Sequence, residues 1–142
     1  MKKAFTLIEM LVVLVFVGLL LAVGVPSIVG NFRAVSLSAG VRLVASELSL
    51  ARQMAITQRK PVTVSFLTNN ASFLIFTNTV QIGKTEFLPV SVEYGNNPAA
   101  IVFQPAGGLA VIQGAKVVLR NKAGEAGTIS VNGLTGYVKV DR

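Results

Sequence analysis

Glu9 is the residue whose type and position most need a chemical explanation. It stands at the start of an uncharged, mostly apolar stretch, residues 10–32, which is long enough to cross a bilayer. Placing an ionised carboxylate in hydrocarbon costs roughly 2.5–3.5 kcal/mol, even on lenient insertion scales. We therefore expect Glu9 either to have a partner of opposite charge or to stay hydrated at the membrane surface.

The composition argues against an enzyme. The 142 residues contain no Cys and no His, which excludes thiolate nucleophiles, imidazole bases and zinc sites built from these ligands. We find no serine-hydrolase motif and no phosphate-binding loop. Glu86 and Glu93 could come close across strands, but a pair of exposed carboxylates is the ordinary interpretation. We predict no catalytic residue, no metal site and no cofactor.

A long helix should carry Glu9. Pro26 interrupts its apolar part and should kink or loosen it, because proline lacks a backbone donor. Beyond Pro26, apolar residues recur every three or four positions, which predicts an amphipathic helix covering a sheet. These residues are Leu37, Val41, Val44, Leu48, Ala51 and Ala55. Pro61 disfavours helix at the preceding residue, so a helix that starts near Thr6 should end near Arg59.

Short strands should follow the helix. From Val62 the pattern changes to a period of two, with β-branched and aromatic residues, and residues 62–66 and 73–76 predict a hairpin. Further strands are predicted at residues 86–88, 90–94, 100–103, 116–120, 128–131 and 137–140. The predicted fold class is α+β: a long N-terminal helical spine, half membrane segment and half amphipathic, packed on a small, mostly antiparallel β-sheet domain.

The N-terminus resembles the class III signal sequence of type IV prepilins and pseudopilins. Lys2, Lys3 and Ala4 precede Phe5-Thr6-Leu7-Ile8-Glu9 and the apolar stretch, although the family usually has Gly in place of Ala4. The resemblance implies that prepilin peptidase cuts after Ala4 and methylates the new amine of Phe5. A secretory signal peptide would have a shorter apolar core, of about 7–15 residues. An ordinary membrane anchor would not need Glu9.

The same resemblance implies roles for Glu9 and Pro26. Glu9 would pair with the Phe5 amine of an adjacent subunit in a staggered helix bundle and so set the subunit register. The alternative is a carboxylate that merely lies at the membrane surface. Pro26 would mark where the helix loses order as subunits leave the bilayer; a fixed kink is the alternative.

The C-terminal part resembles the GspH/FimT subgroup of minor pseudopilins and minor pilins. The matching segments are residues 59–64, 103–108, 129–133 and 136–140. The chain lacks the C-terminal disulfide of many major pilins. The resemblance divides the chain into a leader (residues 1–4), a transmembrane and fibre-packing helix (5–29), the amphipathic half of the helix (30–60) and an exported β-sheet domain (61–142).

A DNA-binding role is the alternative that the subgroup raises. Some FimT-like proteins bind DNA through Gly-Arg-x-Arg, and this chain has Gly136-Tyr137-Val138-Lys139, with Arg142 three residues later. Lysine can neutralise phosphate and tyrosine can stack on a base, but the bidentate geometry of arginine is lost. Lys116, Arg120 and Lys122 could enlarge a basic patch. The other interpretation is scattered, solvated charges.

The predicted function is that of a minor pilin or pseudopilin, a structural subunit of a type IV pilus or a type II secretion pseudopilus. A DNA-binding minor pilin of a competence pilus is the alternative. The implied partners are prepilin peptidase, other pilins in a helical fibre, an inner-membrane assembly platform, the membrane before assembly and, in the alternative, DNA. Lys2 and Lys3 should keep the N-terminus cytoplasmic, with one pass through the inner membrane and a periplasmic C-terminal domain.

Overall fold

The computed structural model describes residues 6–141, except for the side chains of residues 23–31. The chain divides into two compact units, Met1–Phe32 and Arg33–Arg142. One helix, α1 (Leu7–Gln58), contributes to both units. It ends where Arg59 takes a positive φ of 52°, a left-handed conformation typical of helix C-termini, and Pro61 follows shortly after. The helix bounds agree with the prediction to within one residue.

The first unit exposes its apolar side chains. Every residue of Leu7–Ala22 is exposed, and the stretch is apolar on all sides. A helix that is apolar all round is typical of lipid or of helix-bundle surroundings. Pro26 lies within α1, but its side chain is outside the described part, so the kink stays a prediction.

Among the described residues, the stretch of α1 that is long and apolar enough to cross a membrane is Phe32–Gln58, and Leu7–Ala22 is a shorter apolar stretch. The apolar side of Phe32–Gln58, however, is buried in the domain core, and it carries Arg42, Glu47 and Arg52. We therefore assign this stretch to the domain, and the membrane segment predicted over residues 5–29 stays a prediction.

The second unit contains two antiparallel sheets of four strands each. Sheet 1 has the order β3-β2-β1-β5, and sheet 2 has the order β4-β6-β7-β8. The strands are β1 (Val62–Leu67), β2 (Ser72–Thr77), β3 (Val80–Phe87), β4 (Val92–Tyr94), β5 (Ile101–Phe103), β6 (Ala115–Asn121), β7 (Ala126–Val131) and β8 (Val138–Asp141). This architecture confirms the predicted α+β class.

The core lies between α1 and both sheets. All six residues of the predicted stripe are buried, together with Val64 and Phe73 of sheet 1 and Leu119 and Ile129 of sheet 2. Gly127 permits a close approach, since a Cβ there would lie 2.6 Å from the Val41 side chain. The prediction that the stripe covers a sheet is confirmed, with two sheets in place of one.

The strand β3 is the largest departure from the predicted strands. The sequence predicted residues 86–88, whereas β3 covers Val80–Phe87, and Leu88 is buried beyond its end. The strand is an edge strand with partners on one side only, so its residues show no alternation between buried and exposed positions. A period-two search has no signal to find in such a strand.

The turns of the domain gather at its two ends. At the entry end, where the chain enters at Arg33, Gly40 lies against Pro89 and Val92, and Val41 against Gly127. At the far end, where α1 ends at Gln58, the loops 104–114 and 132–137 lie together beside Arg52 and Ile56.

Candidate assembly helix and binding face

Thr6 caps the start of α1 and positions Glu9. The Glu9 backbone N–H donates to the Thr6 carbonyl at 3.1 Å and is 3.3 Å from Thr6 Oγ1. Thr6 and Glu9 have the Thr-x-x-Glu spacing of a capping box, a local sequence signal for the start of a helix. The Glu9 backbone N–H is therefore satisfied by Thr6 at the helix start.

The position of Glu9 also suits its charge. It is exposed and lies in the first turn of α1. The helix dipole places partial positive charge there, which stabilises a carboxylate. Ala4 and Phe5, the predicted cleavage and methylation residues, lie outside the described residues, so their roles stay predictions.

One face of sheet 2 brings together three of the candidate DNA-contacting side chains. Lys116 of β6 is opposite Ser130 of β7, which in turn is opposite Lys139 of β8, so the three share a face. Tyr137, two residues before Lys139, is 65% exposed and falls on the same face. This face combines an aromatic ring with two ammonium groups.

Asp141 limits the charge of this face. Its carboxylate lies 2.7 Å from Lys139 Nζ and accepts a hydrogen bond from Ser130 Oγ at 3.3 Å. The hydrogen bond with Asp141 raises the pKa of Lys139, and the same bond lowers the pKa of Asp141. Sequence reasoning overlooked Asp141, although its spacing of two from Lys139 in a strand is the signal that places them side by side.

The remaining basic candidates do not extend one continuous patch. Arg120 lies in register opposite Glu93 of β4, so a carboxylate faces it. Lys122 is in the turn between β6 and β7 at the entry end. Arg142 is outside the described residues. Sheet 2 therefore carries mixed charges on this face.

A pair of carboxylates that the sequence does not indicate lies between α1 and β3. Glu47 and Glu86 are close enough to repel, and with Met54 and Ile82 they line a groove of about 110 Å³. Burial, followed by the negative charge of Glu86, raises the pKa of Glu47. The two residues are far apart in sequence, so only the tertiary fold brings them together.

At the far end, glycines allow the two loops to pack. A Cβ at Gly136 would lie 2.0 Å from the Gly107 carbonyl oxygen, and one at Gly133 would lie 2.0 Å from that of Ile112. Arg52 Nε donates to the Gly107 carbonyl at 3.0 Å. These contacts hold loops 104–114 and 132–137 against α1.

Within the described residues, no group of three or more Asp and Glu side chains lies close enough to hold a metal ion. The candidate functional surfaces are the exposed helix with Glu9 and the mixed-charge face of sheet 2.

Known structures share this fold. The minor pseudopilin EpsH of the Vibrio cholerae type 2 secretion system superposes with a TM-score of 0.62 at 10% identity, covering 75% of this chain and 96% of EpsH. The type IV minor pilin FimU of Pseudomonas aeruginosa gives a TM-score of 0.62 at 13% identity, covering 75% of this chain and 88% of FimU. At such low identity these matches establish the fold.

Sequence comparison supplies the family. No curated protein sequence matches the chain. Residues 40–135 match the family model described as type II transport protein GspH, which is more than half of the chain. The matched range contains α1 from Gly40 to its end, all of sheet 1, and sheet 2 except β8. The chain therefore belongs to the GspH family.

Proposed function

We propose that this chain is a minor subunit of a type II secretion pseudopilus or a type IV pilus, anchored in the inner membrane before assembly. The observation that carries the proposal is an exposed, all-apolar helix with one carboxylate in its first turn, on a chain of the GspH family. Such a helix needs lipid or other apolar helices around it, and a fibre core supplies the second.

The mechanism is one of assembly. Prepilin peptidase cuts after Ala4 and methylates the amine of Phe5; an inner-membrane platform, driven by a separate cytoplasmic ATPase, then moves the helix from lipid into the fibre. In the fibre, the carboxylate of Glu9 pairs with the amine of a neighbouring subunit. The pairing offsets the cost of burying both charges and fixes the register.

A test of this mechanism must separate two possible roles of Glu9. Its side chain could pair with the amine of a neighbouring subunit, or it could serve only as the Glu of a capping box at the start of α1. Glutamine can replace glutamate in a capping box, so Glu9→Gln retains that function and removes the charge. We expect Glu9→Gln and Glu9→Ala to be equally absent from sheared or secreted fibres, while both are cleaved by the peptidase and remain in the membrane. Normal incorporation of Glu9→Gln would contradict the ion pair and leave the cap as the role of Glu9.

A DNA-binding minor pilin is the second candidate, supported by Tyr137, Lys139 and Lys116 on one face of sheet 2. The ion pair with Asp141 opposes it, since it occupies the Lys139 ammonium group. Phosphate contacts make affinity fall with salt, with a slope of about −0.9 per contact on duplex DNA.

Substitutions of Asp141 and Lys139 should change the DNA affinity in opposite directions. The full chain, purified in a neutral detergent, is titrated with duplex DNA across a salt series. If the face binds DNA, Asp141→Asn should strengthen binding and Lys139→Ala should weaken it and lower the salt slope by about one contact. Lys60→Ala, a basic residue outside this face, is the control. No binding near physiological salt, or no effect of Asp141→Asn, would rule out this candidate.

A further inference from the structure

The entry end of the domain exposes apolar side chains in its turns. Val90 is 87% exposed and Phe87 is 62% exposed. Leu67 is 42% exposed and shares a row with Phe87, because both are in register with Ser72. We call Leu67, Phe87 and Val90 the entry-end patch.

The turn that carries Val90 is firmly held. The Val92 N–H donates to the Pro89 carbonyl at 3.1 Å, and Ser91 has a φ of 73°. A positive φ at the third turn position usually calls for glycine, and the exposed positions of tight turns are usually polar. Here the turn instead presents Val90 to its surroundings.

Two contacts fix this turn to the rest of the domain. The N–H of buried Leu88 donates to the Ala71 carbonyl at 2.8 Å, and Pro89 lies against Gly40 of α1. The exposure of Val90 is thus a property of an ordered turn at the level of Gly40.

The chain joins the entry end of the domain to the predicted membrane segment. The uncharged stretch, residues 10–32, is long enough to cross a bilayer, and the second unit begins at the next residue, Arg33. Gly40, which lies against Pro89 of the turn, follows seven residues later in α1, a rise of about 10 Å. Along the chain, the entry end is therefore the end of the domain next to the predicted membrane segment.

The charged side chains at the entry end also suit a lipid headgroup region. Arg33 and Lys122 are exposed there. Cations attract anionic headgroups, and the long arginine side chain can reach them from within the interface. Glu125, the carboxylate in the adjacent turn, accepts a hydrogen bond from the side-chain amide of Asn121 at 2.7 Å, so Arg33 and Lys122 stand beside one carboxylate at this end.

We propose that the entry-end patch inserts into the outer headgroup region of the bilayer while the subunit awaits assembly, so that the domain rests on a lipid surface. The inference rests on the membrane anchoring in the proposed function. On assembly, the patch would leave the lipid along with the helix.

The far end supplies the matched control. Val111, Ile112 and Leu134 are 60–73% exposed on loops beside Arg52 and Ile56. The stretch of α1 from Gly40 to Gln58 is about 27 Å long, so these side chains are beyond the headgroups when the entry end touches them.

Tryptophan fluorescence can test the proposal because the chain contains no Trp. Val90→Trp, Phe87→Trp and the control Ile112→Trp are each prepared as the full chain in vesicles of phosphatidylethanolamine and phosphatidylglycerol. Parallel vesicles contain lipids brominated near the headgroup. We expect the brominated lipids to quench a large part of the emission of Val90→Trp and Phe87→Trp, and acrylamide in the water to quench mainly Ile112→Trp.

The outcomes separate the inference from the proposed function. If the chain floats with the vesicles but the lipid quenches Val90→Trp no more than Ile112→Trp, the inference is wrong and the anchoring stands. If the chain does not float with the vesicles, both fail. Quenching of Ile112→Trp to the same extent as Val90→Trp would also overturn the proposal, since the contact would not be specific to the entry end.

Discussion

Glu47 shows how a single side chain can cost stability at neutral pH. Its pKa is raised, first by burial and then by the charge of Glu86, so the folded state favours its protonated form. A raised pKa contributes stability below the ordinary value of about 4.5, and the contribution is lost as the pH rises through the folded-state pKa. At neutral pH, well above the ordinary value, burial and the charge of Glu86 disfavour the ionised form of Glu47 and so reduce the stability of the fold.

Replacing Glu47 by Gln should therefore raise the free energy of unfolding at pH 7 and have little effect at pH 4. Urea unfolding at the two pH values measures the difference. Glu93→Gln is the control, because Glu93 lies opposite Arg120 and its loss should bring no gain. An equal gain for Glu47→Gln at both pH values would show that the effect is not electrostatic.

Tyr94 gives a second pH-dependent contribution, at the alkaline end. Its hydroxyl donates to the Ser72 carbonyl at 3.0 Å, and burial raises its pKa above the ordinary value of 10. Tyr94→Phe should cost about 1 kcal/mol at pH 7, the typical worth of a hydrogen bond. Above pH 10 the Tyr94 phenol ionises in the unfolded state, so the wild type should lose stability and the free energies of unfolding of the two proteins should converge. A difference in the free energy of unfolding that stays constant above pH 10 would contradict the assignment.

At the scale of elements, packing against α1 decides which loops are ordered. Loops 104–114 and 132–137 contain no regular strand, yet Arg52 bonds to one of them and Gly136 allows the other to reach it. Glycine is needed at position 136 for two separate reasons. Gly136 has a φ of 65°, and a Cβ would also meet the Gly107 carbonyl.

Gly124 allows the cost of a positive φ to be measured apart from the cost of a close contact. It has a φ of 88° but faces open space, so Gly124→Ala carries backbone strain alone. We expect Gly124→Ala to cost about 1 kcal/mol and Gly136→Ala about 2–4 kcal/mol, because the second adds overpacking. Thermal and urea unfolding measure both. Equal losses would mean that the two loops move apart at little cost.

At the scale of the whole molecule, the second unit has its own core. Arg33–Arg142 forms one compact unit, and the buried apolar residues of the core all lie within it. This arrangement suits a protein whose apolar helix changes surroundings while its domain stays folded.

We therefore expect the fragment of residues 33–142 to fold alone and to unfold in one cooperative transition. Within it, Leu48→Ala should cost about 2–5 kcal/mol, because Leu48 is fully buried in the core. Leu50→Ala, at a position that is 43% exposed, should cost much less. Circular dichroism during urea titration measures both, and a broad, non-cooperative transition would contradict an independent domain.

The sequence by itself determined the helix, its buried stripe and most strands, because these depend on local periodicity and on residues that end helices. Leu37 to Ala55 repeat with the helical period, and Pro61 marks the end of the helix. The hairpin of β1 and β2 was predictable for the same reason. The motif from Ala4 to Glu9 predicted the protein class that the GspH family match supports.

Only the tertiary structure decided which distant residues meet. The division of strands into two sheets, the extent of edge strand β3, and the approach of Glu47 to Glu86 depend on packing between segments far apart in sequence. The same holds for the charge balance around Lys139, where strand pairing adds Lys116 and Ser130 to the local pair with Asp141. Periodicity reports which side of an element is apolar, but it carries no information about the partner that covers that side.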